Sequence, residues 1–444
     1  MLRVKTLPLA AFAALILLAG GAGCGSEEPG TPAAARQADR PPARPPMPEP
    51  DPEPSAPAAP DSLPKALVLG LAAFAEKQPG ATGPPQPLPA RLEFLSRQGG
   101  EWRVTFVDDP ESNVFHKAML YEGRGKPELL SAAGSAATLK LWSKEAAGHE
   151  AETLWQKDFG GKFSRMRDVE VADIYGDGRH AMAVATHDQG IVATVVPQDS
   201  GAFVVEEIDS EPDIFVHEIE IGDLDGDGTL EIYATPSEPN RLDGSVQSGM
   251  VVRYVPAKGE GRVVVADLAD RHAKEILVED VDGDGRDELY VVVEGKVAKG
   301  TRSLEHRVEI RRYDAGTDPQ QGEVIAEIDD RLCRFLTAGD VDGDGKKELV
   351  AATFSKGLWL LRPGDPWQVE SIDRDSGGFE HASILTDLDG DGRDELYVAS
   401  DKHREVRRYV WEGGKPARET IYRRPGKGGV FTWNIMPVPI ELVP

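Results

Sequence analysis

The stretch DLDGDGTLE, Asp223 to Glu231, returns as DVDGDGRDE from Asp280, DVDGDGKKE from Asp340 and DLDGDGRDE from Asp387. Near-copies recurring about every fifty residues demand a fold built of repeated units. In each copy Asp stands at positions 1, 3 and 5, Gly at 4 and 6, and Glu at 9. Carboxylates crowded this way repel one another unless a hard cation lies among them, and Ca2+ accepts about six to eight oxygens in a flexible shell. The candidate ligands are Asp223, Asp225, Asp227 and Glu231, then Asp280, Asp282, Asp284 and Glu288. Asp340, Asp342, Asp344 and Glu348 form the third set, and Asp387, Asp389, Asp391 and Glu395 the fourth. Position 7 adds a backbone carbonyl from Thr229, Arg286, Lys346 or Arg393.

An EF-hand loop opens in the same way, but it runs to about twelve residues and lies between two helices. Here the flanks are strand-like: HEIEIGD precedes the first copy, and ELYVVV, ELVAAT and ELYVAS follow the others. At these residues the chain resembles the FG-GAP/VCBS repeats of integrin α-subunit β-propellers. The VCBS form is the better match, because the Gly-Ala-Pro signature is absent. The resemblance implies that each loop joins the first and second strand of a blade and holds Ca2+. It also implies that a protein or glycan is recognised on the opposite loop face.

Weaker copies occur as DIYGDGRHA from Asp173 and LYEGRGKPE from Leu120. The first lacks two ligands, Tyr175 and Ala181 standing for Asp and Glu, so a fifth site at Asp173 and Asp177 is doubtful; the second should bind nothing. Third strands such as HRVEIRRYD and fourth strands such as GEVIAEID follow the loop-flanking pairs. ARLEFLS and EWRVTFVDD, Ala90 to Asp109, read as a third and fourth strand without a first or second, and Gly428 to Glu441 reads as a lone first strand. Together they complete one blade from both termini, which removes free sheet edges. The expected fold is therefore all-β, a seven-bladed propeller over residues 90–444 with about four antiparallel strands per blade. Six of the seven Trp fall in third or fourth strands, where they read as inter-blade core.

Residues 1–23 read as an export signal, with Arg3 and Lys5 before the apolar run Leu7 to Leu18. Gly21-Ala22-Gly23-Cys24 resembles the lipobox of bacterial lipoproteins, which implies lipidation of Cys24 and a membrane anchor at the outer membrane or cell surface; an ordinary secretory signal is the alternative. Residues 24–62, rich in Pro and Ala, read as a disordered tether. Ser62 caps an expected helix over Leu63 to Lys77 within a linker segment, 63–89. With Cys24 lipidated, Cys333 has no disulfide partner and belongs in the core.

A second periodic feature lies six residues before each loop, where Arg167, His217, Lys274, Arg334 and His381 stand at the start of the innermost strand. With apolar residues two and four places on, they describe an anion-binding ring at the channel mouth, or else cations paired with nearby carboxylates. A net charge of -26 argues against nucleic acid. No G-x-S-x-G, H-E-x-x-H or Walker pattern is present, and no catalytic residue is assigned. The sequence thus describes an exported calcium-binding module for an extracellular or periplasmic protein or glycan, of acidic character if the ring acts. The alternatives are a polysaccharide lyase-like carbohydrate-active enzyme and a lectin on the same fold.

Overall fold

The computed structural model describes residues 56–444 except 78–79, 81, 136, 161–163, 188, 213, 238–246, 299 and 302. The signal segment and Cys24 lie outside the described residues. Seven four-stranded antiparallel sheets form a seven-bladed β-propeller. The fifth blade shows the plan: Ala273–Glu279 pairs with Glu288–Val293, then Val308–Tyr313, then Glu323–Ile328 at the rim. First strands touch their successors from Val114–Tyr121 round to Val430–Pro439, which meets Val114–Tyr121 again and closes the ring.

The second strands explain their own composition. ELYVVV, ELVAAT and ELYVAS are buried at every position, because neighbouring blades cover both faces, and so they read as unbroken apolar runs. Tyr290 and Val292 of the fifth blade pack with Leu336 and Ala351 of the sixth in one such layer. Each Val or Leu buried there contributes about 1.5–3 kcal/mol. Rim strands are largely exposed, as in Gln368–Asp373, whose first four residues are all exposed. Trp142 and Trp411 are buried between blades as expected, and Cys333 is fully buried with no disulfide partner among the described residues.

The closing blade corrects the sequence reading in one element. Lys65–Ala73 is a strand, not a helix, and lies second in the order Val430–Pro439, Lys65–Ala73, Ala90–Gln98, Glu101–Asp109. The propeller therefore begins at residue 65 rather than 90. Leu67, Leu69 and Leu71 face one neighbouring layer while Ala66 and Val68 face the other, so the apolar pattern is continuous and cannot separate strand from helix. Gly70 sits where an added Cβ would come within 3.1 Å of the Phe115 carbonyl oxygen. A mid-helix Gly costs about 1 kcal/mol against Ala; in this strand it permits close approach of the second blade.

The segment before that strand is part of the body as well. The Ala56 N–H donates to the Arg418 carbonyl, Arg408 donates to Pro57 O (3.1 Å), and Arg97 donates to Pro60 O (2.8 Å). Residues 56–63 thus strap the seventh blade to the first, with Ala59 and Leu63 buried.

Candidate functional site

The four acidic loops fold alike. Asp280 accepts N–H groups from Gly283 (2.7 Å), Asp284 (3.1 Å) and Gly285 (3.0 Å), while Asp284 accepts from Arg286 (2.9 Å). Gly283 and Gly285 hold φ of +76° and +90°, a turn that L side chains rarely adopt. The same bonds recur around Asp340 and Asp387, and in part around Asp223. Thr229, Lys346 and Arg393 repeat the position-7 contact to Asp227, Asp344 and Asp391.

Carboxylate oxygens of Asp280, Asp282, Asp284 and Glu288 lie within 4.8 Å of one another. So do those of Asp223, Asp225 and Asp227, of Asp340, Asp342 and Asp344, and of Asp387, Asp389 and Glu395. Such all-oxygen sets suit a hard divalent cation. The Asp173 loop makes the backbone turn but forms no such cluster among the described residues; Tyr175 instead contacts the Thr194 hydroxyl (2.9 Å) and Asp177 pairs with Arg179.

The position-9 Glu has work within the fold. Glu288 accepts the Val281 N–H (3.2 Å) and the Tyr290 hydroxyl (2.9 Å), and lies 3.3 Å from Arg312. Glu395 accepts from Leu388 (3.4 Å), Tyr397 (3.1 Å) and Arg408 (2.8 Å); Glu231 and Glu348 meet Arg253 (2.8 Å) and Arg362 (2.6 Å). This Glu therefore anchors each loop to its own second and third strands. Burial pushes the Glu348 and Glu395 carboxyls up to about 7 despite those arginines. The third-strand arginines escaped the sequence reading, although a basic residue stands there in all four blades at Arg253, Arg312, Arg362 and Arg408.

Position 8 joins a loop to the blade before it. Asp287 accepts the Asp223 N–H (2.7 Å) and Asp394 accepts the Asp340 N–H (2.8 Å), each across a blade boundary. Lys347 pairs with Glu279 (2.5 Å), and Lys65 donates to the Asp387 carbonyl (3.1 Å). Blades four to seven and the closing blade are thereby stitched along the loop face.

The opposite ends of the first strands carry the second feature. In the pairing of Met166–Ala172 with its neighbour, Met166 faces Thr186 and Asp168 faces Ala185, so Arg167 is an extra, bulged residue. Lys274, Arg334, His116 and Trp433 are bulged in the same way in their blades. A bulge lets two consecutive side chains turn to one side, which a regular strand forbids. The axial cavity is accordingly lined by such pairs: His116 with Lys117, Arg167 with Asp168, Lys274 with Glu275. Each bulge also shifts the phase beyond it. Val169, Ile276 and Leu336, which a regular strand would have put along the channel, lie in the inter-blade core; Ile219 lies there too, in a strand paired without a register shift.

Of the five ring candidates, Arg167, Lys274 and Arg334 line this cavity. His217 adjoins it, with Arg167 Nε 3.4 Å from its Nδ1. His381 does not take part. It is fully buried with φ +63°, bonded to the Thr353 carbonyl (2.7 Å) and the Ser376 hydroxyl (2.7 Å). Burial lowers its pKa to about 4. Glu380 lines the cavity from that blade and lies 3.3 Å from Arg334, which also contacts Glu294 (3.0 Å). Sequence reasoning missed His116 and Trp433, since the second blade has an eroded loop and the closing blade none from which to count back.

A wider groove of about 520 Å3 lies between the fifth and sixth blades, walled by the hairpin of Lys296–Val297 and Leu304–His306. Arg331 lies over Phe354 there, 4.4 Å from the ring centroid.

No family model matches the sequence, and no curated protein matches it either. In shape the chain is similar to many solved structures. One is a lectin of Agrocybe aegerita that recognises non-reducing terminal N-acetylglucosamine, at 13% identity over 88% of this chain and 98% of that one, with a TM-score of 0.50. A putative 6-phosphogluconolactonase from Bacteroides uniformis covers 85% of this chain and 100% of its own at 13% identity and TM-score 0.50. A Lactobacillus plantarum protein covers 84% and 99% at 11% identity and TM-score 0.50. At these identities the likeness shows the propeller fold alone.

Proposed function

We propose that the protein is an exported, lipid-anchored binding module whose propeller is stiffened by Ca2+ in four loops and whose opposite face recognises a glycan or protein. The observation that supports it best is the set of four oxygen clusters, each tied to its own strands by Glu and Arg, and three of them to the preceding blade through position 8. Bound Ca2+ adds to the counter-charge of the third-strand arginines, which alone leave each cluster with an excess of carboxylates, and so tightens the loop face as a unit. That leaves the other face, with the axial mouth and the groove beside Arg331 and Phe354, as the place for a partner. A glycan suits the groove, whose volume is that of a small-ligand pocket and whose walls mix Arg307, Asp329 and Lys356 with Phe354. The lectin of similar shape makes the same reading natural. An array of glycans and polysaccharides probed with and without EGTA tests this: retention that depends on calcium supports it, whereas cleavage of a polysaccharide would replace it with the enzyme reading.

A further inference from the structure

The axial cavity offers about 30 Å3 to its contents. A single water needs about 10–15 Å3, so the space holds a small polyatomic group but not a whole sugar ring. His116 is buried, and among the described residues neither of its ring nitrogens has a hydrogen-bond partner; the Trp433 Nε1–H likewise has none. His116 stacks on Trp433 at 4.8 Å, and Arg167 lies over the Trp433 ring at 4.8 Å. Unmade hydrogen bonds on buried polar atoms are costly, and these border a cavity ringed by cations.

The charges that act most on the two histidines there are positive. Burial first, then Lys274, Arg167 and Arg334, push the His217 pKa well below its ordinary value; burial, Arg167 and Arg165 do the same to His116. Carboxylates also reach the wall, but they are occupied. Asp168 lies 3.2 Å from Lys117 and accepts the Ile219 N–H (3.0 Å). Glu380 faces Arg334, and Glu275 accepts the Leu336 N–H (2.8 Å). Burial raises Glu275 and Glu218 well above the usual carboxylate range, toward the neutral form.

We propose that this cavity binds the acidic group of a ligand, a carboxylate, sulfate or phosphate. The group enters from the mouth to meet the N–H donors of His116 and Trp433 and the charges of Lys274, Arg167 and Arg334. The rest of the ligand stays outside, on the face assigned above to partner recognition. The proposal deepens that assignment without depending on calcium in the loops.

The test is calorimetric titration of the calcium-saturated protein with sodium sulfate, inorganic phosphate and glucuronate, with glucose as the neutral control. One saturable site is expected for at least one anion and none for glucose. Affinity should fall at least tenfold in Lys274→Met and stay unchanged in Glu122→Ala, on the far loop face. Arg167→Gln serves if Lys274→Met fails to fold, and selenate soaked into crystals of the parent protein should show its anomalous signal beside Trp433. Absence of saturable binding, parental affinity in a folded Lys274→Met, or selenate located elsewhere would each overturn the proposal. Binding of sulfate alone, with phosphate and glucuronate excluded, selects the ligand group. A protein that melts higher in calcium yet binds no anion sinks this site and spares the loops; the reverse result does the opposite.

Discussion

His381 carries the clearest pH signature. Its Nδ1–H donates to the Thr353 carbonyl, so Nε2 accepts from Ser376, and that second bond needs the neutral ring. The unfolded imidazole takes its proton near 6.5 and the folded one only at about 4. Between those values the unfolded state holds more protons, so stability is full above the upper value and falls as pH drops through the window, by about 3 kcal/mol in all. Asn tolerates a left-handed φ, so His381→Asn should flatten the melting temperature between pH 6.5 and 4 relative to the parent; an unaltered slope would place that acid lability elsewhere. Neither His381 nor the cation-surrounded His217 gains charge in the range where free histidine does. These two residues therefore add no charge to an anion site as pH falls below neutral. A repeating residue type revealed a level in the fold, but only the hydrogen bonds of each blade show which of its members reach the axis.

At the scale of strands and loops, what was legible followed from local chemistry. The acidic loops, the apolar second strands and the composite blade all carry signals within a dozen residues. The bulges do not, because an extra residue in one strand is defined only by the pairing of its partner, and the phase of every channel-side residue depends on it. The strand Lys65–Ala73 was misread for a related reason: covered on both faces, it has no polar side to betray its period. Truncation separates these elements. Removing residues 25–54 should leave the melting temperature as it was, and removing the strap through Leu63 should lower it by several degrees. A chain starting at Val114 loses three strands of the closing blade and should not melt cooperatively. A Val114 chain as stable as the parent would refute ring closure. The stitching between loops makes a separate claim. Asp287→Ala removes a charged acceptor from the Asp223 N–H, a bond worth about 1.5–3 kcal/mol, while sparing every ligand of its own loop. Calcium titration should then show the Asp223 site weakened; four unchanged affinities would mean that the loops act alone.

The whole molecule is a strongly acidic ring with its negative charge gathered into loops on one face and its buried cations at the other end of the same strands. Each blade ends at the rim in a strand paired on one side only, and the proposed recognition falls to the loops and the axial mouth. The account stands on the loops holding Ca2+ in the folded state alone, which stabilises that state by about 2.7 kcal/mol per site at a hundredfold excess over Kd. The decisive measurement is a calorimetric melt of the full chain in millimolar Ca2+ and again in EGTA, joined to a titration that counts bound metal. The account predicts a melting temperature many degrees higher in Ca2+, about four equivalents bound, and one fewer in Asp225→Ala with none lost in Glu122→Ala. A melting temperature that does not move between calcium and EGTA would contradict it.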